Sequence, residues 1–307
     1  MVKLAEASSF NAEYFRGRQI NAVLVGGTAG IGKGIALKLA AYSPNPVITI
    51  CGRNEKTAQE TIQELKKIND KGTYDFERCD MTLLNESRDL AKRITAKYTK
   101  INLLVITSGF LSFDPYVETE DGMDSRFTIS CAARFLLTYY LVPLLQAAAK
   151  KGETAAALSV LSAGQGKKFI IDDISLKENF NLSTAMGRHH GVLNDIMAEN
   201  FSNHYPEVSF HHSYPGVVKT ELTNTLPWYV RYPSALLGYF AMSIEDCGDY
   251  SLYGIASHLK EKTGFWSLIK QDGENVQPTK FQTKEARDKS WNWFMNLLNE
   301  RGFTELN

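Results

Sequence analysis

The chain has 307 residues, 44% of them apolar, with 34 basic and 34 acidic side chains. That composition supports a sizeable core and excludes global disorder, and the charge balance argues against a nucleic-acid or anionic-membrane surface. Four cysteines, Cys51, Cys79, Cys131 and Cys247, lie far apart without metal-ligand spacing, which fits a reducing compartment and no metal site.

The first residues, MVKLAEASSFNAEYFRGRQ, carry no apolar run of the kind that heads a secretory leader, so a cytoplasmic protein is expected. NAVLVGG (21–27) reads as a buried strand entering a glycine turn. IGKGIALKLAAYS (31–43) follows with Ile31, Ile35 and Leu39 at helical spacing. PVITICGR (46–53) is a second strand, and NEKTAQETIQELKKIND (54–70) a charged amphipathic helix. TYDFERCDM (73–81) is a third strand, LLNESRDLAKRITAKY (83–98) a helix, and INLLVITSG (101–109) a fourth strand. A long apolar helix covers 124–150, and AALSVLSAG (156–164) is a fifth strand. A further helix covers 183–202, VSFHHSYPG (208–216) is a sixth strand, and GFWSLIK (264–270) supplies a seventh. The apolar tract 226–242 contains Arg231, Pro227 and Pro233 and makes a poor membrane span. Near the end, Trp291, Met295 and Leu298 share one helical face suited to packing.

Short apolar strands alternating with helices predict an α/β fold: a doubly wound parallel sheet of about seven strands with helices on both faces, in a single domain. Residues 1–17 read as an N-terminal extension, 18–275 as the domain, and 276–307 as a C-terminal helical extension.

AVLVGGTAGIG places Gly26, Gly30 and Gly32 between a strand and a helix. The first permits a tight turn, the second lets backbone approach a pyrophosphate, and the third permits close helix packing. The helix N-terminus then presents free N–H groups to the phosphate. At the end of the second strand an acid would bind a free ribose 2′-hydroxyl and a cation would bind a 2′-phosphate. The residues there are Cys51, Gly52, Arg53 and Asn54, with no acid before Glu55, so NADP(H) is the expected cofactor.

With these motifs the chain resembles the short-chain dehydrogenase/reductase family, over roughly residues 18–275, and its Rossmann-type fold. The resemblance implies cofactor contacts from Gly26, Thr28, Gly30 and Ile31 of the turn and from Arg53 and Asn54 after the second strand. CDM matches the family's acid after the third strand, so Asp80 would hold the adenine with Met81 beside it. ITSG stands where the family has Asn-Asn-Ala-Gly, which leaves Ser108 and Gly109 at that turn. SYPGVVKTEL matches the Pro-Gly turn, with Pro215, Gly216, Val218 and Thr220 at the nicotinamide end. The 121–145 stretch is similar to the corresponding helix of retinol-dehydrogenase-like members, and the general resemblance extends to proteins of fungal natural-product pathways.

The family's hydride chemistry uses a Tyr, a Lys one helical turn later, a Ser and an Asn. The Ser survives as Ser162, and the Asn position falls on Ser130. Counting back from Pro215 puts the Tyr and Lys positions at Ala185 and His189, while aligning on Asn194 puts them at Gly187 and Gly191. Neither frame holds the pair. His189 is therefore the candidate acid/base or ribose contact, with an imidazole that titrates near neutrality. His190 lies about 100° round the helix. His211 and His212 alternate to opposite faces of a strand, so one is expected as a hydrogen-bonded core residue and a metal pair is not. Asp172 and Asp173 read as a solvated loop face. Tyr116, or a tyrosine of the aromatic segment 220–245, which is the family's substrate lid, is another source of a hydroxyl. That segment suits an apolar small-molecule substrate.

Three functions stay open: an NADPH-dependent oxidoreductase on a ketone or alcohol, a non-redox enzyme such as an isomerase, cyclase or dehydratase, and a nucleotide-binding pseudoenzyme. Homodimer pairing through helices 124–149 and 183–202 is what the resemblance implies for assembly.

Overall fold

Side-chain alternation decides which helices each strand meets. In the computed structural model, β1 (Asn21–Val25) sends Ala22 and Leu24 into one core and Val23 and Val25 into another. β2 (Val47–Gly52), β3 (Thr73–Arg78), β4 (Leu103–Ile106), β5 (Ala156–Val160), β6 (Ser209–Ser213) and β7 (Trp266–Ile269) complete the sheet. All neighbours are parallel, in the order β3-β2-β1-β4-β5-β6-β7. The structure describes residues 2–112, 114–181, 188–220, 241–259 and 264–303.

The two cores lie on opposite faces of the sheet. Helices α1 (Leu4–Phe15), α2 (Gly30–Tyr42), α3 (Glu55–Ile68) and α7 (Ile244–Leu259) cover one. Helices α4 (Leu84–Lys97), α5 (Ser125–Ala149), α6 (His190–His204) and α8 (Lys284–Glu300) cover the other. This is the doubly wound, Rossmann-type single domain expected from the alternation of elements.

Three packing features set the site. First, α2 and α7 touch through glycines: a Cβ on Gly34 would stand 1.9 Å from the Ile244 carbonyl oxygen, and one on Gly248 would stand 2.6 Å from that of Gly34. Second, Asp249 of α7 gathers Ser8 Oγ (2.8 Å), Lys38 Nζ (2.7 Å) and the Tyr42 hydroxyl (2.6 Å), which locks α1 and α2 onto α7. Third, a π-turn at Thr128–Ala132 interrupts α5 just before the buried Arg134. By length and composition α5 is apolar enough to cross a membrane, but 78% of its most apolar window is buried inside the protein, as in a core helix.

The C-terminal helix covers α5 and α6. Phe294 stacks on Phe135 with ring centres 4.4 Å apart, and Trp291 stacks on His204 at 3.8 Å. Leu298 is buried there, with Trp291 and Met295 packed at the edge. The face on which pairing with a second copy was expected is therefore occupied by the chain's own α8.

Candidate active site

The strand order reverses between β1 and β4, where doubly wound sheets open a crevice beyond their C-terminal ends. A cavity of about 350 Å³ lies there. Its floor is the glycine turn. Gly26 has φ +89°, and a Cβ on it would meet the Ser108 nitrogen and the Thr107 hydroxyl, both at 2.6 Å. Gly30 has φ +56° and opens α2, whose N-cap, Ala29, offers no side-chain acceptor. The first N–H groups of α2 therefore have no side-chain cap at this end of the helix. Thr28, Ile31, Arg53, Asp80, Met81, Ser108, Gly109 and Thr220 also line the cavity.

Arg53 stands at the mouth, its Nη1 3.7 Å from Asp80 Oδ2 and its side chain 65% exposed, so the cation is only loosely held. Asp80 accepts from Thr82 through both its backbone nitrogen and its hydroxyl. The Ser108 hydroxyl is buried with no hydrogen-bond partner among the described residues, at the β4 end of the cavity. A ligand group in the cavity would satisfy it. The glycine floor, the uncapped helix and this orphaned hydroxyl together fit a dinucleotide.

A matching assignment comes from comparison. A profile described as short chain dehydrogenase matches residues 21–170. The chain is 30% identical over 273 residues to the oxidoreductase AN1596 of Emericella nidulans, covering 86% of this chain and 80% of that protein. The chain belongs to the short-chain dehydrogenase/reductase family. It is also 25% identical to the human polyprenol dehydrogenase, over 79% of this chain and 74% of that one. Its fold matches a 3-oxoacyl (acyl-carrier-protein) reductase of Agrobacterium tumefaciens solved with NADP bound, with TM-score 0.63 and 15% identity over 85% of this chain and 96% of that one.

The position read from the sequence as the family's serine, Ser162, lies just past the end of β5. Ser162 follows that strand in a turn whose backbone is bonded at each step: Leu161 N to Ser213 O (2.9 Å), Ser162 N to His212 Nε2 (3.1 Å) and Gln165 N to Ser162 O (3.1 Å). Beneath it, Asn194 of α6 donates to the Ser130 carbonyl (2.8 Å) and accepts from Ser159 Oγ (2.8 Å). Arg134, fully buried, donates to Ser159 Oγ (2.5 Å), the Val160 carbonyl (3.0 Å) and the Ser108 carbonyl (2.7 Å). It thus ties the ends of β4 and β5 together. Burial pulls its guanidinium down to about 10, which leaves it charged at neutral pH.

Several expectations change. His189 does not face the cleft. Its Nδ1 accepts from Ile170 N (3.2 Å) and its Nε2 donates to the Ile174 carbonyl (3.0 Å), with Phe169 stacked on the ring at 4.8 Å. Both nitrogens pin the 169–174 loop, and burial lowers the imidazole to about 4. Of the two positions considered for the family's Lys, it is Gly191 that lies against the serine: a Cβ there would stand 2.4 Å from Ser162 Oγ. No tyrosine anywhere in the chain is followed four residues on by a lysine.

The remaining contacts have structural explanations. Asn54 caps α3 by accepting from Thr57 N (3.1 Å). Pro215, Gly216 and Val218 lie outside the cavity lining. Gly216 has φ +70° and leaves room for Gln271, while Val218 bridges Met242 at the base of the aromatic segment. Gly32 faces the Gly26 carbonyl and Thr107 rather than another helix, and the helix contact falls to Gly34. Asp172 pairs with Lys289 (2.9 Å), and Asp173 caps the turn at 177–179. His211 bonds Ser267 (2.7 Å), and among the described residues no His/Cys/Asp/Glu group could hold a metal. Tyr116 sits edge-on to Phe180 with ring centres 5.5 Å apart. Ala185, Gly187 and residues 221–240 lie outside the described residues. Reading the sequence alone missed Thr107, whose hydroxyl bonds the Gly26 carbonyl (3.2 Å), and Arg134; an arginine in the middle of an apolar helix was the available signal.

Proposed function

We propose that this short-chain dehydrogenase/reductase uses NADP(H) to interconvert a ketone and an alcohol on an apolar small molecule. The observation that carries the cofactor choice is Arg53 at the cavity mouth, with no acid in the residues just after β2. Gly26, Thr28, Gly30 and Ile31 would cradle the pyrophosphate, Asp80 and Met81 the adenine, and Ser108, Gly109 and Thr220 the ribose and nicotinamide side. When bound, the nicotinamide supplies or accepts the hydride.

The chain's own residues handle the oxygen. Ser162 would hydrogen-bond the carbonyl oxygen and hold it in place. The buried guanidinium of Arg134, bonded to the Val160 and Ser108 carbonyls, would hold the ends of β5 and β4 in place on either side. With His189 committed to a loop and the Tyr–Lys pair missing, the proton would come from water or from a tyrosine, Tyr116 or one in 221–240. The aromatic segment supports an apolar substrate, and the likeness to a polyprenol dehydrogenase points the same way. A place in secondary metabolism is part of this proposal.

The test is the loss of NADPH absorbance with a panel of apolar ketones and the isoprenoid aldehyde farnesal. Turnover with NADPH and little with NADH supports the reading; no turnover with any of them counts against it. The missing Tyr–Lys pair also favours a second reading, a non-redox enzyme on the same fold. Substrate conversion with no change in the cofactor's oxidation state would select it.

A further inference from the structure

We infer that Asp195 and His212 are positioning residues that set the pose of Ser162; the inference rests on the reading of Ser162 as the group that holds the substrate oxygen. The two side chains are fully buried, on α6 and β6, with Asp195 Oδ1 2.6 Å from His212 Nδ1. His212 stands opposite Ser159 in the β5–β6 register, three residues before Ser162. Its other nitrogen, Nε2, accepts the Ser162 backbone N–H at 3.1 Å. That bond fixes the tautomer: Nε2 carries no proton, so Nδ1–H donates to Asp195. Asp195 then reaches the same turn a second time and accepts from Gly164 N at 3.2 and 3.3 Å.

The pair therefore grips the serine turn at two of its backbone N–H groups, from the strand on one side and the helix on the other. Packing alone does not require this. A carboxylate and an imidazole are costly to bury, and an apolar pair would fill the same space at similar stability. What an apolar pair cannot do is accept the Ser162 and Gly164 N–H groups. Without those acceptors the turn would have to relax, and Ser162 would move relative to the cleft. A displacement of about 1 Å at a group that aligns a reacting atom costs about 100-fold in rate.

The test uses the full chain with NADPH, farnesal as the assay substrate, and amide exchange read by NMR. His212→Leu is expected to lower kcat about 100-fold, with the NADPH Kd within about threefold of the parent. Protection of the Ser162 and Gly164 amides should fall with it. In His212→Gln the side-chain oxygen can accept the Ser162 N–H, so protection should persist and kcat recover to within about tenfold of the parent. Asp195→Asn keeps an acceptor oxygen and should behave likewise, whereas Asp195→Ala removes the acceptor of the Gly164 N–H and should lower both that protection and kcat, which preserves the test if His212→Leu does not fold. Wild-type kcat and protection in folded His212→Leu would overturn the inference. So would a Gln or Asn variant that keeps the amides protected yet is as inactive as His212→Leu is expected to be. If the parent itself reduces nothing, the function proposed above fails, while the amide protection still decides whether the pair holds the turn.

Discussion

Replacing Arg53 by alanine removes the cation that stands 3.7 Å from Asp80 at the cavity mouth. Hydrogen bonds to a charged group contribute about 1.5–3 kcal/mol, so NADPH should bind about 10- to 100-fold more weakly in Arg53→Ala. NADH, which lacks the 2′-phosphate, should be nearly unaffected. Fluorescence titration with both coenzymes measures this, and equal losses would remove Arg53 from cofactor selection. Ser162, past the end of β5, lies outside the lining of the glycine-floored cavity. Ser162→Ala takes away the proposed donor to the carbonyl oxygen. Loss of one such donor costs about 100- to 1,000-fold in kcat. Cofactor affinity should hold, because the phosphate cradle lies at the glycine turn. Unchanged kcat in Ser162→Ala would take the serine out of the mechanism.

Helices and strands carry two further expectations. Gly34→Ala puts a methyl group 1.9 Å from the Ile244 carbonyl oxygen, where α2 meets α7. Alanine is the better helix former by about 1 kcal/mol, but overpacking costs about 1–3 kcal/mol or more when backbone must move. The clash should win, and the thermal midpoint should drop by several degrees. An unchanged or raised midpoint would mean that the two helices are not so close. The buried histidines act through pH. Burial holds His189 at about 4 and, more strongly, His190 and His211 at about 3. The unfolded chain takes up these protons near the ordinary histidine value of about 6.5, well before the folded one does. Stability is therefore full above that value and falls as pH drops towards 4, by on the order of 1.4 kcal/mol per pH unit for each histidine. The urea midpoint should be clearly lower at pH 5 than at pH 7, and a midpoint unchanged or higher at pH 5 would contradict neutral burial.

For the molecule as a whole, α8 lies across α5 and α6, the face on which a homodimer was expected. The chain should therefore run as a monomer near 34.4 kDa by light scattering, and a stable species of twice that mass would show that pairing uses this or another face. Such coverage is not visible in the order of residues, although the helix itself is. Most strands were legible because they are short apolar runs bounded by turn residues, β3 and β6 with their polar side chains excepted, and Gly26 and Gly30 because a positive φ is a local demand. His189 was misjudged because what claims its ring is the 169–174 loop, which no helical spacing reports. Gly34 and Ile244 meet from distant parts of the chain, and the Asp195–His212 pair forms only once β6 lies beside β5. The measurement that bears most directly on the glycine-floored cleft is titration calorimetry of the full chain with NADPH and with NADH. One molecule of NADPH should bind per chain, more tightly than NADH; no heat from either coenzyme would contradict a dinucleotide site at this cleft.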